Sequence, residues 1–196
     1  MLLIATRNAH KTAEIRAILG PTWEVTDLNA HPDLRVPEET GATFAENAQI
    51  KALAASHQFD GLVLADDSGL ELDALGGAPG VYSARYAGRG ASDADNRARL
   101  LRELAATGAR GKSRSARFRC AMVLAERGAW LGTFEGAVEG VIINSERGSG
   151  GFGYDALFVP AGHCLTFAEL PPETKNGLSH RGRALAQVRA FLEARS

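Results

Sequence analysis

The first residues set a pattern that recurs along the chain: a short apolar run, a polar break, then a helical period. Leu2 to Ala5 are uninterruptedly apolar, the mark of a strand buried on both faces. The run breaks at Thr6-Arg7-Asn8. Asn8 is a good N-cap, so a helix is expected from about Ala9 to Leu19, ended by Gly20-Pro21. Trp23 to Leu28 reads as a second strand. Residues 29–42 hold prolines, a glycine and the acidic pair Glu38-Glu39, and read as loop. Thr43-x-x-Glu46 is a capping box, opening an alanine-rich helix to about His57. Leu62 to Ala65 is a third buried-looking strand, and Ser92 caps a helix to about Thr107. Arg117 to Leu124 and Trp130 to Ile143 read as strands joined by a turn at Arg127-Gly128, hence an antiparallel hairpin. A glycine-rich loop spans Gly148 to Gly153, Ala156 to Val159 reads as a strand, and Ser179 caps a last helix to about Ala194.

Strand–helix–strand order at the front favours parallel pairing, and the later hairpin favours antiparallel pairing. The expected fold is α/β with a mixed sheet. No repeat, linker or low-complexity tract interrupts it, so residues 1–196 are expected to form a single domain without a clean boundary.

Composition narrows the partners. With 45% hydrophobic and 23% charged residues, the chain is ordinary for a soluble globular protein. Its net charge of -1 offers no global field to nucleic acid or an anionic membrane, so neither is an expected partner. The local basic run Arg110, Lys112, Arg114, Arg117, Arg119 reads as a solvated edge. Cys120 and Cys164, in no metal-ligand spacing, read as buried thiols of a reducing compartment. The opening MLLIATRN does not read as a signal peptide and no span is long enough to cross a bilayer, so a cytoplasmic location is expected.

In open α/β sheets, ligands bind beyond the carboxyl ends of strands. Three polar clusters fall at or near such ends. Thr6-Arg7-Asn8-Ala9-His10-Lys11 leads from strand to helix, where free N–H groups and the helix dipole can receive a phosphate and Lys11 adds a mobile charge. Taken alone, it is more simply an ordinary strand-to-helix turn. Asp66 and Asp67 follow the third strand. They point different ways if the chain stays extended, so at most one faces a ligand. A polar Asp-Ser-Gly turn is the plain reading, yet a carboxylate here also suits Mg²⁺, with Glu38 or Glu39 as a second ligand. On the capped helix, Asn47, Lys51 and Gln58 form a polar stripe that faces either water or a site. Gly150 to Asp155 adds flexible backbone, the Phe152 and Tyr154 rings and an acceptor, and Ser179-His180-Arg181-Gly182 adds donors at a helix start. Each of these has a bland reading as well, a glycine turn and an N-cap with surface charges.

The blocks ATRNAHK, EETGATFAENAQIKA, LADDSGLELDALGGAPGVYSARYAG, GSGGFGYDALF and ETKNGLSHRGRAL occur in this order. Together they resemble the inosine triphosphate pyrophosphatase family, over nearly the whole chain. The resemblance implies an elongated mixed β-sheet with flanking helices, two lobes around a deep nucleotide-binding cleft, and a homodimer. It implies Mg²⁺-dependent hydrolysis of dITP, ITP and XTP to the monophosphate and pyrophosphate. Residue by residue, Thr6, Arg7, Asn8, Ala9, His10 and Lys11 match the triphosphate turn, although Arg7 stands where the family often has glycine. Glu38 and Asp67 match the metal carboxylates, with Asp67 also the general base. Lys51 matches a lysine near the phosphates and Ser68 a substrate contact. Phe152, Gly153, Tyr154, Asp155, Lys175, His180 and Arg181 match the base-binding set. A Maf-type nucleotide pyrophosphatase is the nearest alternative enzyme, disfavoured by the SHRG and FGYD stretches. A nucleotide sensor without turnover is the alternative of a different class.

Overall fold

A computed structural model describes residues 1–195; Ser196, the last residue of the expected 1–196 domain, lies outside the described residues. Six strands form one sheet in the order β2-β1-β3-β4-β5-β6. They are β1 (Leu2–Ile4), β2 (Val25–Asp27), β3 (Leu62–Leu72), β4 (Ser115–Glu126), β5 (Ala129–Ile142) and β6 (Phe158–Pro160). The helices are α1 (Ala9–Leu19), α2 (Phe44–Ser56), α3 (Asp93–Ala106), α4 (Pro172–Leu178) and α5 (His180–Glu193). β1 pairs in parallel with β2 and β3, and β6 runs antiparallel to β5, so the sheet is mixed as expected.

The local signals explain most of these elements. Asn8 caps α1 by accepting from the His10 and Lys11 N–H groups, and Gly20, at φ 73, closes it. Thr43 and Glu46 form their reciprocal capping box at the start of α2. Ser92 and Asp95 form another at α3. Arg127 and Gly128 both take positive φ, the type I′ geometry that matches the twist of a two-residue hairpin. The second strand is shorter than expected and β6 starts two residues later, at Phe158.

One element overturns the sequence reading. β3 does not stop at Ala65 but runs through Asp66-Asp67-Ser68-Gly69 to Leu72. The acidic pair therefore lies inside a strand, not in a turn. A strand tolerates this because each carboxylate finds its own cation, as described below.

The chain divides into two compact units. The first comprises Met1–Asp67, Cys120–Gly136 and the chain from His180 onward; the second comprises Ser68–Arg119 and Ala137–Ser179. In the first unit the two faces of the sheet carry separate cores. Leu2, Ile4, Leu64 and Met122 pack with Ile15 and Leu19 of α1 and with Leu185, Val188 and Leu192 of α5. Leu3, Ala5, Val63, Ala65 and Val123 pack with Ala48, Ala52 and Ala55 of α2. The alanine face of α2 lets the helix lie close to the sheet. Gly136 does the same for α5, because a Cβ there would collide with the His180 carbonyl. In the second unit Leu70, Leu72, Leu100, Leu104, Phe118, Val138, Tyr154, Phe158 and Phe167 form one cluster, with Phe118 stacked on Phe167 at 5.8 Å.

The basic run is not a bare solvated edge. Arg114 is buried and donates to the Ile142 and Ile143 carbonyls, and Arg117 pairs with Asp73 and Glu139. Cys120 is buried as expected, whereas Cys164 is exposed. Among the described residues no helix is long and apolar enough to cross a membrane.

Candidate active site

The side-chain alternation of β3 decides what each aspartate meets. Leu64 faces α1 and α5, while Val63 and Ala65 face α2. Continuing by twos, Asp66 belongs with Leu64 and Asp67 with Ala65. The contacts agree. Asp66, fully buried, forms an ion pair with Lys11 of α1 and another with Arg181 of α5 at 3.2 Å, and accepts from the Cys120 thiol at 3.0 Å. Asp67, 6% exposed, accepts from the Asn47 amide of α2 at 3.1 Å and lies 3.8 Å from the Lys51 ammonium.

The two neighbours are electrostatic opposites. Burial alone would push the Asp66 carboxyl up, but Arg181 and Lys11 outweigh it and hold the group well below the ordinary carboxylate range. Asp67 is raised instead: burial dominates, Glu39 adds to it, and Lys51, Lys11 and Asn47 only partly oppose. Asp66 is therefore a committed anion of a structural cluster, whereas Asp67 is the more basic carboxylate and the better proton acceptor.

Lys51 and Asn47 settle the question posed by the α2 stripe. Both are buried, and both point at the Asp66-Asp67 pair within β3. The Lys51 ammonium donates to the Asp66 carbonyl at 2.7 Å and to the Glu39 carboxylate at 2.6 Å. Gln58, the third member, instead brackets Arg35, accepting from its N–H at 3.0 Å and donating to its carbonyl at 2.7 Å. The 29–42 loop is thus fastened to both ends of α2, for Asn47 also accepts from Gly41 N–H at 2.7 Å.

The Thr6 to Lys11 turn corrects one expectation. Two of the first-turn N–H groups, those of His10 and Lys11, are already taken by the Asn8 side chain at 3.0 and 3.3 Å. Asn8 is a strong cap because its short amide reaches both, so these donors are occupied in this structure. Arg7 turns toward the neighbouring loop and donates to the Leu28 carbonyl at 3.0 Å, while Asn29 donates back to the Arg7 carbonyl at 3.2 Å.

Arg181 differs most from the sequence expectation of a donor at a helix start. Its guanidinium is 2% exposed and spans Asp66 and Glu14, the latter at 2.6 Å. These anions keep it charged, raising its pKa despite burial. His180 is buried beside it at the head of α5.

In the second unit, Phe152 to Asp155 and Lys175 form a compact group. Lys175 and Asp155, both buried, pair at 2.6 Å. The same Asp155 oxygen accepts from Phe152 N–H at 2.9 Å. Gly151, at φ 70, permits this, since a Cβ there would strike the Asp155 carboxylate. The Lys175 ammonium lies 5.4 Å from the centre of the half-buried Phe152 ring. Tyr154 is buried and donates to the Ser83 carbonyl at 2.9 Å, so it packs rather than presenting its ring. Ser68 is half-buried at the start of this unit's part of β3.

Sequence reasoning thus brought Lys11, Lys51 and Asp67 to one region of the first unit, and Phe152, Asp155 and Lys175 to one region of the second. It missed Asn47 as a site residue, although the stripe contained it, and the contact between Glu39 and Lys51. Among the described residues no three His, Cys, Asp or Glu side chains gather as a metal cage. Mg²⁺ requires none, being held by one or two carboxylates with phosphates and water. Asp67 and the acidic pair Glu38-Glu39, oxygen donors without thiol or imidazole, fit that ion.

Comparison with known proteins gives the family and the fold. Residues 2–191 match the profile described as the Ham1 family. A dITP/XTP pyrophosphatase of Geobacter sulfurreducens is 50% identical over 192 residues, covering 97% of this chain and 96% of the relative. One of Halalkalibacterium halodurans is 48% identical, with coverage of 97% and 98%. Among solved structures, a HAM1 protein from Coxiella burnetii superposes with a TM-score of 0.87 at 42% identity, covering 98% of each chain. The Staphylococcus aureus Ham1 protein gives 0.85 at 39% identity, covering 100% and 99%.

Proposed function

Because the chain belongs to the Ham1 family, we propose that it is a nucleoside triphosphate pyrophosphatase that removes noncanonical purine nucleotides, dITP, ITP and XTP, from the nucleotide pool. Support comes from relatives of about half-identical sequence that carry the name dITP/XTP pyrophosphatase. The observation that carries the reading is Asp67: a nearly buried carboxylate with a raised pKa, beside Lys51 and within the field of Lys11.

In this reading a water attacks the α-phosphorus. Its oxygen forms the new P–O bond, the bond to the bridging oxygen of the β-phosphate breaks, and the water's proton passes to Asp67. The products are the monophosphate and pyrophosphate. Lys51, and Lys11 if it exchanges its Asp66 partner for phosphate, offset the charge gathering on the leaving group. Asn47 fixes the Asp67 carboxylate so that its other oxygen, Oδ1, stays oriented. Mg²⁺, which Asp67 and Glu38 would hold, supplies polarisation of the phosphates and a lowered pKa for a nearby water. Glu39 keeps Lys51 in place.

We assign base recognition to Phe152, Gly153, Asp155, Lys175 and His180, with Tyr154 serving as the packed anchor of that loop on the Ser83 carbonyl. Arg181 acts through its hold on Asp66, the anion that also pairs with Lys11. Phosphate contacts fall to the Thr6 to Lys11 turn, in which Thr6, Ala9 and His10 accompany Asn8, and to Ser68. A 6-oxo purine presents an acceptor where adenine presents a donor, so donors in the pocket favour the former. We take the activity to be cytoplasmic, where nucleotide pools are used, and the functional form to be a homodimer.

The test is a panel of ITP, dITP, XTP, GTP and ATP with Mg²⁺, scored separately for pyrophosphate and orthophosphate. Pyrophosphate from the first three, lost on adding a chelator, is the expected result. Orthophosphate as the product, or nucleotide binding without turnover, overturns the reading.

A further inference from the structure

In the second unit, the backbone of Gly153 is gripped at both ends by one helix. Asp93, in the first turn of α3, accepts from Gly153 N–H at 2.7 Å. Arg97, one turn later, donates to the Gly153 carbonyl at 2.8 Å. Residues four apart on a helix with opposite charge ordinarily pair with each other. Here they part and take the two polar groups of a single residue.

The usual reasons for these side chains are already met elsewhere. The α3 N-terminus has its capping box in Ser92 and Asp95, so Asp93 is not needed as a cap. Arg97 has a carboxylate in Glu146 at 2.9 Å, yet still spends a guanidinium nitrogen on a neutral carbonyl. Gly153 sits at φ 60 with open space around its Cα, so it bends there for backbone geometry and not to admit a neighbour.

The same four-residue loop is pinned at its other members. Asp155 holds Phe152 N–H and Lys175, and the Tyr154 hydroxyl reaches the Ser83 carbonyl. After these contacts the Phe152 side chain stays half-exposed, with its ring beside an ammonium. A glycine-rich loop would otherwise sample many conformations at this point.

We propose that Asp93 and Arg97 are positioning residues for base selection. By clamping the Gly153 peptide they hold the Phe152–Asp155 loop rigid, so that a purine is judged against a fixed surface and not one that adapts to it. This rests on the nucleotide reading above and adds to it the residues that set discrimination. A rigid surface punishes a mismatched donor or an extra amino group, whereas a yielding one accommodates it.

Two measurements test this. Amide hydrogen exchange over residues 150–156 in the unliganded protein reads the clamp alone. It should quicken in Asp93→Ala and Arg97→Ala, and return toward wild type in Asp93→Asn and Arg97→Lys, which keep an acceptor and a donor. The kcat/KM ratios of ITP to GTP and ITP to ATP read the selection. They should shrink by about tenfold in the alanine variants, the loss expected for one charge-assisted hydrogen bond. Arg99→Ala serves as a control, since Arg99, on the same helix, bonds Glu103 and lies over the Tyr86 ring and gives the Gly153 peptide no hydrogen bond, acting on the loop only as a charge near Tyr154. It should lower stability while leaving both ratios unchanged. Unaltered exchange in the alanine variants overturns the clamp. Faster exchange with constant ratios overturns its role in selection, and ratios that shrink equally in Arg99→Ala reduce it to general stability. Wild-type protein that releases no pyrophosphate from ITP sinks the nucleotide reading instead, a result the exchange data do not depend on.

Discussion

The ammonium of Lys51 lies 2.6 Å from the Glu39 carboxylate and, on its other side, 3.8 Å from that of Asp67. One cation from α2 therefore links the acidic loop to the middle of an interior strand. Removing it leaves two carboxylates facing each other in a poorly solvated place. Lys51→Ala should lower turnover of every triphosphate by about 10²-fold, the usual effect of deleting one preorganised charge-stabilising donor. The ITP-to-ATP ratio should stay constant, because phosphate is common to both. A variant whose ratio changes would place Lys51 near the base.

Asp66 and Asp67 should fail in different assays. Asp67→Asn keeps the size and the Asn47 contact but cannot take a proton, so turnover should drop at least about 10²-fold with the fold intact. Asp66→Asn removes the shared anion of Lys11 and Arg181, both charged, one of them buried. Its principal effect should be on unfolding free energy, with a loss of about 3–5 kcal/mol as for other broken buried pairs. Denaturant melts and steady-state rates on the two variants decide this. An Asp66 variant of wild-type stability and no activity would reverse the assignment.

Arg181→Ala is expected to behave like Asp66→Asn, by the same mechanism. Glu14 and Asp66 would lose their common guanidinium, again at about 3–5 kcal/mol. A direct donor to the base would act otherwise, with ITP turnover falling selectively in a protein of normal stability. Thermal melts beside an ITP and ATP assay separate the two.

Two hydrogen bonds tie the Thr6 to Lys11 turn to the loop that leads to Glu38 and Glu39: Arg7 donates to the Leu28 carbonyl, and Asn29 donates to the Arg7 carbonyl. The residues are exposed, so Arg7→Gly should cost only about 0.5–1.5 kcal/mol. Asn29→Ala should cost a similar amount, and the double variant less than the sum, because each bond braces the other. Strict additivity by chemical denaturation would show that the two bonds are independent.

Much of the first unit was legible because its signals are local. Asn8, the Thr43–Glu46 box and the Arg127-Gly128 turn each act within four residues, and each formed as read. The β3 boundary was not legible for the opposite reason. Asp-Asp-Ser-Gly is turn chemistry when judged alone; it is strand chemistry only because α1, α2 and α5, from three distant stretches, deliver Lys11, Lys51 and Arg181 to it. The site divides in the same way. Lys51 and Asp67 could be named from the family's motifs, but the choice between an exposed and a buried face of α2 required the sheet. Asp93 looked like any acid in a first helical turn, and nothing near it in the chain reveals that its partner lies sixty residues on.

The two aspartates also act as a check against misalignment. Suppose β3 slid by one residue against its neighbours. In one direction Ser68 would replace Asp67 opposite Lys51. In the other, Ala65 would replace Asp66 opposite Arg181. Either slip takes from a buried cation one of its two carboxylates, leaving Lys51 with Glu39 alone or Arg181 with Glu14 alone, on top of turning the strand's side chains to the opposite face. A single-residue insertion or deletion before Asp66 would impose that state permanently. This strand should therefore accept changes of side chain far more readily than any change of length.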